Sequence, residues 1–184
     1  MPKIKVDPSI RSEAIFSECK TYRYLLARER DRDLADDDLS RGTVNFLLCN
    51  PSVASVEVND PTVLRGQTRA FKHGILGRRY SRMYITNLFG VVSTDPKGLG
   101  KLADPVGPEN DRYIIKAVTE SDLTICGWGD VGARYKRPGQ VMKMLADHGL
   151  ADKLYCLGTN DSGHPQHPLY LPYALDAKPY RPAT

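Results

Sequence analysis

A three-layer α/β/α fold with a mostly parallel, four-stranded central sheet is what this sequence predicts. Two observations lead there. Four short apolar runs alternate along the chain with segments of helical period. Those runs are apolar almost without interruption, as strands buried on both faces must be. A third observation bears on function. In open sheets of this kind ligands bind beyond the carboxyl ends of the strands, and the four loops expected there are the ones of unusual composition.

The first strand-forming stretch, Tyr22-Arg23-Tyr24-Leu25-Leu26, precedes the repeating pattern. Arg28 to Arg41 alternates acids and bases around Asp36-Asp37-Asp38. With so little apolar content it reads as an exposed loop or hairpin tip. The four runs are Val44–Cys49, Met83–Leu88, Leu123–Cys126 and Leu154–Leu157, each of strand length. Thr62 to His73 reads as a basic amphipathic helix with Val63, Leu64, Ala70 and Phe71 as apolar points. Glu109 to Thr119 sets Tyr113, Ile114, Ala117 and Val118 on one helical face. Gln140 to His148 carries Val141, Met144 and Leu145, and Gly149 supplies its stop. The expected organisation is a single domain over 1–184, with a core of about 20–175 and a peripheral arm (1–18) and tail (176–184).

The 184 residues contain enough apolar sequence (41%) to build a core unaided. A net charge of +4 permits nucleic-acid binding without demanding it. Cys19, Cys49, Cys126 and Cys156 form no C-x-x-C pair, which argues against a zinc knuckle or a thioredoxin-like site. Three of them lie inside apolar runs and read as buried thiols, fitting a reducing cytoplasm. No stretch approaches the length of a membrane span, and the N-terminus lacks the apolar centre of a secretion signal. No metal and no cofactor is expected.

The loop Asn50-Pro51-Ser52 follows the first run. Pro51 forces the chain out of the sheet, so Asn50 is set at the cleft mouth with a donor and an acceptor to offer. Asp60-Pro61-Thr62 reads as a helix start, with Asp60 as N-cap rather than catalytic acid. Asn87, at the end of the second run, needs partners on a buried strand: either internal ones or a ligand's polar edge. Phe89 beside it either stacks on a ring or fills the core. Gly127-Trp128-Gly129-Asp130-Val131-Gly132 matches G-x-G-x-x-G. Arg134 to Pro138 delays the next helix, which argues against a dinucleotide site. The last loop carries His164-Pro165 and His167-Pro168; a histidine held at a strand end is placed to donate to a developing anion.

The stretches YRYLL, LLCNPSVAS with NDPT, ITNLF, STDPKGL, DPVGPENDRY, CGWG and HPLYLP resemble domain-of-unknown-function family 1643, a bacterial and phage group, from about Tyr22 to Pro172. The same succession more distantly resembles the uracil-DNA glycosylase superfamily. That resemblance implies its fold and hydrolysis of the N-glycosidic bond of a modified or deaminated base in DNA. Asn50 would hold the attacking water and His167 would stabilise the leaving base, with His164 as the alternative register. Asn87 would read the base, and Ser52, Phe89, Trp128 and Tyr170 would surround it. The first loop lacks the family's aromatic after its proline, and the last lacks its serine-proline.

Flanking phosphates would be held by Arg65, Arg69, Lys72, Arg78, Arg79, Arg134, Lys136 and Arg137, together with His164. The expected partner is therefore DNA or a nucleotide. Two rival readings share the sequence. One is a nucleotide- or DNA-binding module without chemistry; the other is a dinucleotide-dependent enzyme using Gly127–Gly132.

Overall fold

In the computed structural model, residues 4–30, 42–52 and 54–181 are described. Of the acid-base stretch Arg28 to Arg41, expected to be an exposed loop or hairpin tip, residues 31–41 lie outside them, whereas Arg28 to Arg30 end a strand and Arg28 is fully buried, its side chain satisfied by carbonyl and amide oxygens. The main sheet has seven strands, from edge to edge β2 (Ile10–Phe16), β3 (Arg23–Arg30), β6 (Arg82–Asn87), β4 (Thr43–Leu48), β7 (Leu123–Cys126), β8 (Leu154–Cys156) and β9 (Lys178–Pro179). A second sheet pairs β1 (Ile4–Lys5) with β5 (Val58–Asn59). The four runs read from the sequence are β4, β6, β7 and β8, and they lie side by side and parallel. The sheet is nevertheless mixed and wider than four strands. β2 and β3 extend one side antiparallel, and β9 closes the other.

This corrects the expected arm and tail. Ile10–Phe16 pairs with β3 along its whole length, and Tyr180 after β9 is buried against the Trp128 ring. The sequence signal was weak because β2 alternates exposed and half-buried positions, as edge strands do.

Both faces of the sheet are covered. Val44, Phe46, Leu48, Met83 and Ile85 face α1 (Pro61–Thr68), which contributes Val63. Leu47, Leu88, Cys126 and Cys156 face the other way, against α2 (Asn110–Glu120) and α4 (Arg137–Asp147) through Ile114, Val118, Val141 and Leu145. Between them runs α3 (Gly129–Ala133). The swap of faces follows from chain order. The connection from β4 to β6 carries α1, whereas that from β6 to β7 crosses back over β4 carrying α2. A right-handed crossover in each direction puts the two helices on opposite faces. The loops leaving β4 and β7 therefore pass to opposite faces, which opens a crevice at the carboxyl ends of the central strands.

Asp60 caps α1 as expected, its Oδ1 accepting from Val63 N at 2.9 Å, with Pro61 next. The helix then widens into a π-turn, Arg69–His73. Helix α4 starts at Arg137 rather than Gln140, because Pro138 sits in its first turn, where a missing N–H costs nothing. At the sheet centre Asn45, fully buried, donates to Thr86 Oγ1 (3.1 Å) on one neighbouring strand and Thr124 Oγ1 (3.5 Å) on the other. This polar row penalises any slip of register, which would leave buried donors unpaired.

Candidate functional site

At the crevice lies a cavity of about 470 Å³, within the range typical of small-molecule sites (roughly 300–1,000 Å³). Asn50, Asn87 and His167, far apart in the chain, all line it, as do Ser52, Trp128 and Tyr170.

Asn50 stands two residues past β4. Its Nδ2 donates to Ser93 O at 2.8 Å and to Pro51 O at 3.0 Å. With the nitrogen engaged by two carbonyls, Oδ1 is the end available to accept from a bound water or ligand, and no described residue donates to it. An aspartate here has no proton to give either carbonyl, which accounts for asparagine in this loop. Asn87 ends β6 and is buried, yet its Nδ2 meets no partner among the described residues. The turn after it is held from behind. Asn110 Nδ2 donates to the carbonyls of Asn87 (3.0 Å) and Leu88 (3.1 Å), and Arg137 Nε donates to Leu88 O at 2.9 Å.

His167 opens a short 3₁₀ turn, Pro168–Tyr170, and its Nδ1 accepts from Leu169 N at 3.3 Å. That bond assigns the neutral tautomer with the proton on Nε2. Burial pushes the ring's pKa down to about 4, and the Asp60 carboxylate opposes the shift only in part. His167 is therefore a neutral N–H donor at physiological pH. His164 is half-buried outside the cavity, its N–H bound to Asn160 Oδ1 at 2.9 Å, so His167 is the register that reaches the site.

The glycine turn has a packing purpose. A Cβ on Gly127 would stand 2.5 Å from Pro168 Cδ, and one on Gly129 (φ +65°) would stand 3.3 Å from His167 Cβ. The helix α3 does begin at the glycines, contrary to expectation, and Gly129 stands in the left-handed conformation at its start, which favours glycine there. Gly129 N already donates to Pro165 O at 3.0 Å, so the turn holds the His-Pro loop where a phosphate would otherwise lie.

Phe89 and the basic residues expected to hold phosphates do not line the cavity. Phe89 is a core side chain, buried and edge-on to Tyr135. Several basic residues expected to hold phosphates serve the fold instead. Arg69, 1% exposed, donates to Pro172 O (2.6 Å), Leu175 O (2.8 Å) and Tyr173 O (3.2 Å). Arg65 donates to Leu171 O and lies 3.7 Å over the Tyr173 ring. Together they strap the segment after the His-Pro loop onto α1. Arg137 is buried in an ion pair with Asp111, and Arg78 pairs with Asp122 at 3.8 Å. Arg79 is half-buried, while Lys72, Arg134 and Lys136 are exposed.

Sequence reasoning missed Arg23. It lines the cavity, is 2% exposed, and donates through a terminal nitrogen to Ala54 O at 2.7 Å. A β-bulge explains its direction. Ile15 pairs with Leu25 but Phe16 with Arg23, so Tyr24 is extra and the alternation resets. Strict period two would put Arg23 with Leu25 and Ala27 on the α2 face. The bulge turns it to the α1 face with Leu26 and Arg28. Arg28, fully buried, grips Asn59 Oδ1 (3.0 Å) and Ser55 O (2.7 Å), so two arginines of one strand fasten the Asn50 loop. Asp60 also lines the cavity, which the cap reading alone did not anticipate. Cys49 is there too, but burial pushes its thiol up to about 12, which makes it inert as a nucleophile.

Residues 23–169 match the family described as protein of unknown function (DUF1643). The chain belongs to that family. No curated protein and no solved structure matches it. Among the described residues no helix is long and apolar enough to cross a membrane.

Proposed function

We propose that this chain hydrolyses the N-glycosidic bond of a modified or deaminated base in DNA or a nucleotide, on a fold akin to the uracil-DNA glycosylases. One observation supports the reading: Asn50, Asn87 and His167 line a single cavity, with Asn50 Nδ2 engaged by carbonyls and His167 Nδ1 by a backbone N–H. The quartet of parallel strands, with α1 on one face and α2 and α4 on the other, is consistent with that fold.

Breaking this bond leaves negative charge on the departing base and positive charge on the sugar. Preorganised donors for the first and a carboxylate for the second lower that barrier. His167 donates from neutral Nε2 to the base as its charge develops. Because the ring is already neutral, it gives up no proton to solvent beforehand. Asn50 Oδ1 orients the attacking water, whose oxygen bonds to the sugar carbon as the C–N bond breaks and whose released proton neutralises the departing base anion. Asp60, held by its cap bond, supplies the negative charge that the sugar cation needs. Asn87 donates to the base edge, and Tyr170, 80% exposed with its ring centre 5.7 Å from that of His167, offers a face at the mouth for stacking. A base within a duplex must leave the stack to enter, at a cost of about a few kcal/mol.

The test is base release from single- and double-stranded oligonucleotides carrying deaminated and modified bases. The reading predicts free base and an abasic site, lost in His167→Ala. Retained DNA affinity without base release favours the binding module; a thermal shift with a dinucleotide favours the cofactor enzyme.

A further inference from the structure

Strand β2 forms one edge of the main sheet. Among the described residues, Ile10–Phe16 has β3 on one side and no strand on the other. It is 7 residues long and contains neither proline nor glycine. Native sheets blunt such an edge by keeping it short or by placing proline or repelling charges on it. The charges of β2 do the opposite. Arg11 and Glu13 are exposed and lie on one face of the strand, on either side of Ser12. An antiparallel copy centred on Ser12 brings each Arg11 opposite the other copy's Glu13. Moving the centre to Arg11 or to Glu13 sets like charges against each other, which is unfavourable. On the opposite face the same centre pairs Ile10 with Ala14, both half-buried against the core beneath α1.

The register has a third consequence. By alternation Phe16 shares the face of Ile10, Ser12 and Ala14, and it is 36% exposed. Pairing about Ser12 carries it past Ile10 of the other copy toward Pro8. A groove of about 500 Å³ opens there, lined in part by Val6, Pro8, Ile10, Val56 and Val58, with Val56 42% exposed. We propose that β2 is the interface with a second copy of this chain, joined antiparallel about Ser12, with the Phe16 ring of each copy seated in the groove of the other. Each copy supplies the arginine and the glutamate, the aromatic ring and the groove, as a two-fold interface requires. Arg11 also bonds Glu29 of β3 at 2.6 Å; a guanidinium has donors enough for two carboxylates. The groove wall at 56–58 belongs to the segment between Asn50 and Asp60, so the second copy seats against the chain that carries both cavity residues. The inference does not depend on the chemistry assigned to the cavity.

Sedimentation equilibrium of the full chain over about a hundredfold range of concentration tests this. Expected is a species of twice 20.5 kDa at the upper end. Glu13→Arg sets arginine against arginine on both sides of the axis and should weaken association at least about tenfold. Arg11→Glu should act in the same way. The two changes in one chain exchange the charges and should restore association to within about threefold of the unmodified protein. Phe16→Ser, which leaves the groove empty, should weaken it at least about tenfold. These side chains are exposed, so each variant should keep the circular dichroism of the unmodified chain; should Glu13→Arg fail to fold, Phe16→Ser decides. A monomer at every concentration overturns the inference. A dimer that neither Glu13→Arg nor Phe16→Ser weakens is joined elsewhere and overturns it as well. A double exchange that stays monomeric overturns the register about Ser12, and the proposed pairing with it.

Discussion

The imidazole of His167 sets the pH behaviour of the site. Its folded pKa, about 4, lies below the ordinary 6.5. The unfolded chain therefore takes up this proton first as pH falls. The stabilising contribution is complete above 6.5 and declines as pH drops from there toward 4. Denaturant midpoints measured from pH 8 to 4 should show this loss, and His167→Gln should flatten it. Turnover should likewise show no limb near pH 6.5. His167→Ala should reduce turnover by about 10²–10³-fold, the usual loss for a donor to developing charge. Asn50 separates two functions that a single substitution normally mixes. Asn50→Ala removes the acceptor proposed for the attacking water and should lower turnover by roughly 10²-fold with base affinity kept. Asn50→Asp keeps an acceptor but turns a carboxylate toward two carbonyls, and should lower stability by about 1–3 kcal/mol in a urea melt.

Among the elements, the glycine turn joins packing to chemistry most directly. Gly127 exists because the Pro168 ring occupies the space a side chain would fill. Gly127→Ala should displace the His-Pro loop, costing about 1–3 kcal/mol of stability and a far larger share of turnover. A uniform loss of both, as in general unfolding, would not fit. The turn also shows the limits of the sequence. G-x-G-x-x-G describes spacing, and the same spacing serves close packing as well as phosphate binding. Buried apolar runs, by contrast, were legible because their surroundings leave one choice: β7 falls at the residues read from the sequence, and β4, β6 and β8 within a residue at either end. Arg23 was not legible. Its direction depends on one extra residue in β3, and bulges have no signature in an apolar run. The same holds for Arg69 and Arg137, whose carbonyl and carboxylate partners are brought to them only by tertiary folding.

At the scale of the whole molecule, the sheet's outer strands protect the site-bearing centre. β3 carries both arginines that fasten the Asn50 loop, and β2 covers its edge. Removing residues 1–16 should expose that edge, making the chain aggregate and broadening its thermal transition. The tail works at the opposite side through Tyr180 against Trp128, and the Arg65 and Arg69 strap ties the His-Pro loop to α1. The site is therefore assembled from the ends of the chain as much as from its middle.

The most direct measurement is chromatographic quantification of free base released from oligonucleotides bearing deaminated and modified bases, for the unmodified protein alongside His167→Ala and Asn50→Ala. The account predicts stoichiometric abasic product and base from at least one substrate, reduced at least about 10²-fold in both variants. Intact substrate throughout the panel, or release that both variants retain, would contradict it.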